Sequence, residues 1–520
     1  MRYLLFLIPC LLFSFQDQIT QKKCVVAGRV TNLFTGEPLR KVNVHLSQVS
    51  RQANAKAQGY GGLSDAQGYF RFEGISAGQY SLRGDRPGFL MTLYGAKGPG
   101  QSGTFITLQA GQEMTDLSFG LIPQAVITGR VLDEDGDPVS GVQVEGLKQS
   151  WSRGKLRFMQ QGMPAENEAP AIPGAPQLQQ VRTFFPDSTS LDAASQITVA
   201  AGQTASGTDI HLQRVRTFHV RGKIAAGAGG RFILSLLPKD QSMLMFGAQA
   251  SAAKDHTFDI SGVAPGTYTL TAVDIQNGRA SPVARQPIEV GAADLNDVIL
   301  SIVPPGTLRG HVLVEGDGPA APDFHPQLFL ASDEGVMAMS QVKFADDGTF
   351  SVENIRPGKY YPQINNAPEG AYLKSVRWGQ QELLGKELDF SNGASGDLEI
   401  VFRYGAAQVG GIVQIPQDAN KTTPPDFTIV LVPEVLNADG SGMDFSRVDQ
   451  TGAFSFKRVT PGRYLAYALE QVDNNQLQNP DVLKQLASKG VEVDVKEKDN
   501  KQIQLTPFPA DDLKRIFESQ

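Results

Sequence analysis

Two cysteines in 520 residues exclude a disulfide framework. Cys10 lies in an N-terminal apolar run, so a processed chain keeps only Cys24, which reads as an incidental strand residue. The six histidines (His45, His211, His219, His256, His311, His325) include none followed three residues later by Glu, the spacing of a helical zinc-hydrolase pair. Charge of neither sign dominates: 47 Lys and Arg stand against 54 Asp and Glu, and no basic patch suits nucleic acid. Long apolar runs are missing after residue 15. The longest later ones, Phe232 to Pro238 and Ile429 to Pro433, have strand length and sit between turn residues, which predicts sheet interior and no transmembrane segment. No Gly-x-Ser-x-Gly elbow and no Walker loop occurs. The expectation is a chain with no catalytic residue, no metal site and no cofactor.

What is present begins with an export signal. Arg2 supplies a positive start, Leu4 to Phe15 is almost uninterruptedly apolar, and Gln16-Asp17-Gln18 follows, so residues 1–16 read as a secretory signal peptide. Small residues near Ser14 only approximate a cleavage site. Leu7-Ile8-Pro9-Cys10 is a poor lipidation site, because Pro9 adjoins the cysteine and Cys10 lies in mid-run.

The remainder is repetitive. Gly68-Tyr69-Phe70 leads to Gly78-Gln79-Tyr80, Thr257-Phe258 to Pro265-Gly266-Thr267-Tyr268, Gly348-Thr349-Phe350 to Pro357-Gly358-Lys359-Tyr360, and Gly452-Ala453-Phe454 to Pro461-Gly462-Arg463-Tyr464. Each phrase reads as strand, turn, strand: alternation puts Phe70 with Phe72, and Phe454 with Phe456, on one face. Pro-Gly predicts a type II turn with positive φ at the glycine. The recurring tyrosine is expected to bury its ring and tie its hydroxyl back to the backbone. Upstream of these phrases, and once more in a segment without one, stands an apolar-x-Gly-x-apolar opening: Val26 to Val30, Ile127 to Val131, Val220 to Ile224, Leu308 to Val312 and Val409 to Val413. After two openings, turn residues precede alternating strands, Val42 to Leu46 and Val142 to Val144.

The opening, the Gly136 to Val144 turn and strand, and the Gly-x-Phe to Pro-Gly-x-Tyr hairpin together resemble the carboxypeptidase regulatory-like family, repeated along nearly the whole mature chain. The resemblance implies small transthyretin-like or prealbumin-like β-sandwiches, often grouped with starch-binding-like folds, in an exported protein of bacterial type. The transthyretin-like urate-pathway hydrolases end in Tyr-Arg-Gly-Ser, whereas this chain ends Phe517-Glu518-Ser519-Gln520. The expected fold is all-β, a tandem array of about five small antiparallel Greek-key sandwiches with short C-terminal helices. Its units are 17–122, 123–215, 216–304, 305–404 and 405–520.

The second unit departs from the pattern. It lacks the Phe and Tyr hairpin and carries a Gln-, Pro- and Ala-rich stretch at 160–180, read as a flexible loop in a shortened, least stable sandwich that closes through Ile197 to Val199 and Ile210 to Leu212. Asn479 and Pro480 start a helix that Gly490 ends, and a second helix spans Asp511 to Glu518; both are expected over an edge of the last sandwich. Pro- and Gly-rich junctions at Ile122-Pro123 and 303–306 predict a rod.

Asp133, Asp135 and Asp137 offer oxygen ligands, but Gly136 is fourth where an EF-hand needs Gly sixth, so an acidic turn is expected. The candidate ligand-binding residues are the two tryptophans, Trp378 before Gly379-Gln380-Gln381-Glu382 and Trp151 beside Ser152 and Arg153, since sugars stack on flat aromatic faces with polar neighbours. Core or rim packing is the competing reading for both. The function expected is a non-enzymatic exported scaffold of the cell envelope, in the periplasm or outside the cell, with an envelope protein or polysaccharide as partner. The alternative is a carbohydrate-binding accessory protein, and a more distant one is an enzyme whose site forms between units.

Overall fold

The computed structural model describes residues 22–49, 59–152, 154–161, 178–225, 231–238, 248–276, 279–302, 305–319, 324–332, 337–338, 342–345, 347–355, 358–390, 396–414, 426–437, 442–470 and 472–518. The expected signal peptide, Cys10, Pro357 and most of the 160–180 stretch lie outside them. The chain is all-β apart from short helices near its C-terminus.

Four segments each build two facing sheets. In the first, strands Tyr69–Ile75, Cys24–Asn32 and Glu113–Leu121 form one sheet, and strands Gly59–Leu63, Asn43–Gln48, Gly78–Asp85, Thr92–Leu93 and Phe105–Leu108 the other. The third, fourth and fifth segments repeat this plan around openings Phe218–Ala225, Gly306–Glu315 and Ala407–Val413. One ladder differs from the antiparallel expectation. Opening and closing strands pair in parallel in every copy, as in Gly28 with Leu117 and Gly310 with Leu398.

This parallel contact explains the repeated glycine. A Cβ at Gly28, Gly222, Gly310 or Gly411 would collide with the carbonyl oxygen of Leu117, Val298, Leu398 or Ile503 on the closing strand. On the other side each glycine is paired with the Phe of the repeated phrase: Phe70, Phe258, Phe350 and Phe454. The ring covers the bare backbone and stays 4–5% exposed in all four. The two halves of the repeat are therefore one packing device.

The turns before each Phe follow their sequences. The Oδ1 of Asp65 accepts from the backbone N–H of Gln67 (2.9 Å) and Tyr69 (2.8 Å), and Gly68 turns with φ 80°. In the third copy His256 takes the glycine's place with φ 66° and packs against the Phe232 ring. The Pro-Gly step differs from expectation. Gly78 and Gly358 have φ of 153° and 157°, nearly extended and far from the roughly +80° of a type II turn. The left-handed residues lie earlier, at Gly74, Gly262 and Asn354, beside register shifts opposite the opening strand. A bulge there bends and twists the end of the strand, and the chain then crosses to the facing sheet, so the two strands of each phrase, expected to pair as a hairpin, lie in opposite sheets. The tyrosines behave as expected: Tyr80, Tyr268 and Tyr464 donate to the carbonyls of Ser76 (2.9 Å), Ala264 (2.8 Å) and Thr460 (2.6 Å). Burial raises the Tyr80 and Tyr464 hydroxyls to about 12.

Among its described residues the second segment keeps short opening and closing strands, an antiparallel pair of Leu178–Gln180 with Arg214–Arg216, and one hairpin. Val126–Ile127 pairs with Thr204–Ala205, and Val131–Leu132 with Ile210–His211, both in parallel. Val142 and Val144 are exposed and outside any strand, and Ile197 to Val199 is likewise irregular, because no second sheet is there to receive them. The hairpin Gly146–Ser152 and Lys155–Gln161 leaves this segment and reaches the fifth, where Lys148 lies 3.8 Å from Asp473.

The C-terminal helices cover a face, not an edge. Strands Phe427–Pro433 and Gly462–Glu470 send Ile429, Leu431, Ala466 and Ala468 into the sandwich and Val430, Tyr467 and Leu469 outward. Helices Pro480–Leu486 and Ala510–Glu518 bury that outer face with Val482, Leu486, Leu513 and Ile516. Asn479 caps the first helix by accepting from the Asp481 N–H at 2.9 Å.

Candidate functional site

A cleft-bearing contact lies where the chain returns on itself. Strand Phe105–Leu108 is an edge of the first sandwich, and its exposed N–H and C=O groups need partners. The fifth sandwich supplies them. The Phe105 N–H donates to the Val448 carbonyl (3.0 Å), and the Gln450 amide both donates to and accepts from the Thr107 backbone (2.9 and 3.0 Å). The rod expected from the Pro-Gly junctions is thereby replaced by docking of first on fifth sandwich.

Charged groups complete the contact. Arg447 stacks on Phe105, its guanidinium carbon 3.9 Å from the ring centre, and its Nη1 donates to the Ser102 carbonyl at 2.8 Å. Burial lowers its pKa to about 10, so it stays cationic at neutral pH. Asp426 accepts from the Gly103 N–H at 3.1 Å through Oδ1, while its buried Oδ2 has no hydrogen-bond partner. Burial pushes Asp426 up to about 6, against the opposing pull of Lys97. Lys97 pairs with Glu470 at 3.2 Å across the same contact.

Between these groups a cleft of about 330 Å³ remains. Gln79, Ser102 and Phe105 line one wall; Phe445, Ser446, Arg447 and Asn474 line the other. Asp444, beside the cleft on the Phe445 strand, is also pushed up to about 6 by burial. Neither tryptophan is part of this cleft. Trp378 ends strand Ala371–Trp378, half-buried against the fourth core, with its ring 6.5 Å from that of Phe390. Trp151 is half-buried in the second segment's hairpin, opposite Leu156. The two belong to separate surfaces. Arg447 and Asn474 carried no sequence signal of their own, because their neighbours come from the other end of the chain.

The histidines are spread over separate strands and loops. His219 meets Asp259 at 2.6 Å, His311 meets Glu399 at 3.2 Å, and His325 stacks on Phe344. Asp133 spends its Oδ1 on the N–H groups of Asp135 and Asp137, as an acidic turn does. Among the described residues no three His, Cys, Asp or Glu side chains are grouped to hold a metal, and no helix is long and apolar enough to cross a membrane. Cys24 is buried in the first core, its thiol donating to the Gln109 carbonyl at 2.9 Å.

Residues 25–121 match the carboxypeptidase regulatory-like domain. This is the first sandwich, with its opening glycine and its Phe and Tyr strands. No curated protein is similar to the chain in sequence. Among solved structures, the TIE protein of Bacillus anthracis is 9% identical, with 94% of this chain and 76% of that one covered and a TM-score of 0.18. A streptococcal ancillary pilin is 9% identical, with 74% and 99% covered and a TM-score of 0.20. BcpA, the major pilin subunit of Bacillus cereus, is 10% identical, with 74% and 99% covered and a TM-score of 0.14.

Proposed function

We propose that this chain is a non-enzymatic scaffold exported to the cell envelope, where its linked regulatory-like sandwiches present surfaces to an envelope protein or a polysaccharide. Domain limits at 122/123, 215/216, 304/305 and 404/405 belong to that reading. The docking of the first sandwich on the fifth is the observation that supports it. Backbone pairing at Phe105, the Gln450 amide and the stacked Arg447 hold two distant units in one orientation, which is what a presenting framework needs. Cell fractionation tests export: the protein is expected in the periplasmic or surface fraction, and a cytoplasmic pool would remove the reading.

Carbohydrate binding is the second reading, favoured by the partial exposure that both Trp151 and Trp378 keep. The chain from Gln18 onward is to be applied to insoluble polysaccharides and peptidoglycan beside Trp151→Ala and Trp378→Ala. Retention lost in one variant locates a sugar platform. Retention on no matrix leaves the scaffold reading and directs the search to protein partners.

A further inference from the structure

The cleft between the first and fifth sandwiches holds more binding capacity than the docking uses. A guanidinium carries five N–H donors, and the docking takes one, from Nη1 to the Ser102 carbonyl. Among the described residues no carboxylate forms an ion pair with Arg447; Asp426 acts on it through space only. Asn474 donates from Nδ2 to the Ser102 hydroxyl (3.2 Å), but its buried Oδ1 accepts nothing from the protein. Phe445, 39% exposed, offers an apolar surface at the same opening. A volume of about 330 Å³ is at the small end of ligand pockets and suits a single sugar-sized molecule.

These three features specify complementary chemistry. An unpaired cation wants an anion, and the planar fork of a guanidinium matches a carboxylate. A buried amide oxygen without a partner wants a donor such as a hydroxyl. An exposed aromatic ring takes C–H surface on its face. We propose that this cleft binds a small carboxylate bearing hydroxyl groups, the chemistry of a sugar acid, with Arg447 holding the carboxylate and Asn474 accepting from a hydroxyl.

The charges around the cleft give this site a pH dependence. Asp473 is near Lys148 (3.8 Å) and Glu470 is paired with Lys97, while Asp449 is occupied by the N–H groups of Thr451 and Ala453. Asp426 remains: burial raises it to about 6, and it acts through space on the Arg447 guanidinium that lines the cleft. When ionised it competes with an anion for Arg447. Acidification from pH 7.5 to 5.5 protonates it while a sugar-acid carboxylate stays charged, so binding is expected to tighten severalfold.

The test is calorimetric titration of the mature chain with glucuronate at both pH values, with glucose as the neutral analogue and acetate as the carboxylate lacking hydroxyls. Glucuronate is expected to bind at least tenfold more tightly than either control. Arg447→Gln should lose tenfold or more, and Asp426→Asn should tighten binding at pH 7.5, a gain that a damaged interface cannot mimic. Equal binding of glucose, no glucuronate binding at either pH, or an unchanged affinity in both variants would overturn the proposal.

Discussion

The first and second segments open with the same five-residue pattern and reach different ends. Gly28 and Gly129 both lie against the carbonyl of a parallel closing strand, Leu117 in one case and Thr208 in the other. Only the first has a Phe to lay across its glycine and a second sheet to close over the ring. Its core includes Val26, Val44, Leu46, Tyr80, Leu82 and Phe119, all at 0% exposure. In the second, Leu132 and Leu212 are the buried apolar residues among those described, while Val144 is 63% exposed. The opening motif thus specifies a ladder, and the Phe and Tyr strands, one in each facing sheet, supply the hydrophobic interior that makes the ladder a domain.

The sharpest way to break this comparison is to add a side chain at the shared glycine. Gly310→Val forces a Cβ and two methyls into the Leu398 carbonyl and the Phe350 ring, at a cost of about 4 kcal/mol or more. Calorimetry should show one unfolding transition lost or far lowered. Gly129→Val meets the same kind of carbonyl, yet there is little core to lose, so the other transitions should stay in place. Equal effects of the two would refute the distinction.

Truncating the ring tests the other half of the device. Phe350→Ala should destabilise the fourth sandwich by about 3–5 kcal/mol, read as earlier local proteolysis there. Asp426→Asn addresses the docking. The carboxyl's folded value, about 6, is above its ordinary 3.8, so its contribution is fully favourable below 3.8 and is lost as pH rises through 6. The variant should therefore gain roughly 2 kcal/mol at pH 8 and nothing at pH 4, by denaturant titration at each pH. Tyr80→Phe should cost about 1 kcal/mol by removing the bond to the Ser76 carbonyl, a bond with no counterpart in the second segment. The smallest effect belongs to Val144→Ser, within about 0.5 kcal/mol, because that side chain is already in water.

Much of the fold was legible because its determinants are local. The Gly-x-Phe alternation, the Asp turns and the returning tyrosine act within a few residues of one another, and periodicity records them. The parallel pairing of opening with closing strand was not legible, since strands about 90 residues apart share no local pattern that reports direction. The type II turn and the hairpin fail for a related reason: Pro-Gly permits a tight reversal, but the strands it joins cross between facing sheets, which no local stretch of residues records. Of the candidate site, the tryptophans were visible as composition, whereas Arg447 and Asn474 look like ordinary polar residues of a strand and a loop until Ser102 is beside them.

By itself, the sequence determined the repeated sandwich, because one glycine and one aromatic at fixed spacing permit a single close packing of three strands. It determined as well which segment would be short of core. Tertiary structure alone decided that the chain closes from first to fifth sandwich. The bonds that do so, Gly103 to Asp426 and Lys97 to Glu470, join residues more than 300 positions apart. Such contacts depend on the shapes of finished domains and on the need to cover the Phe105–Leu108 edge, neither of which is written in any local stretch of residues.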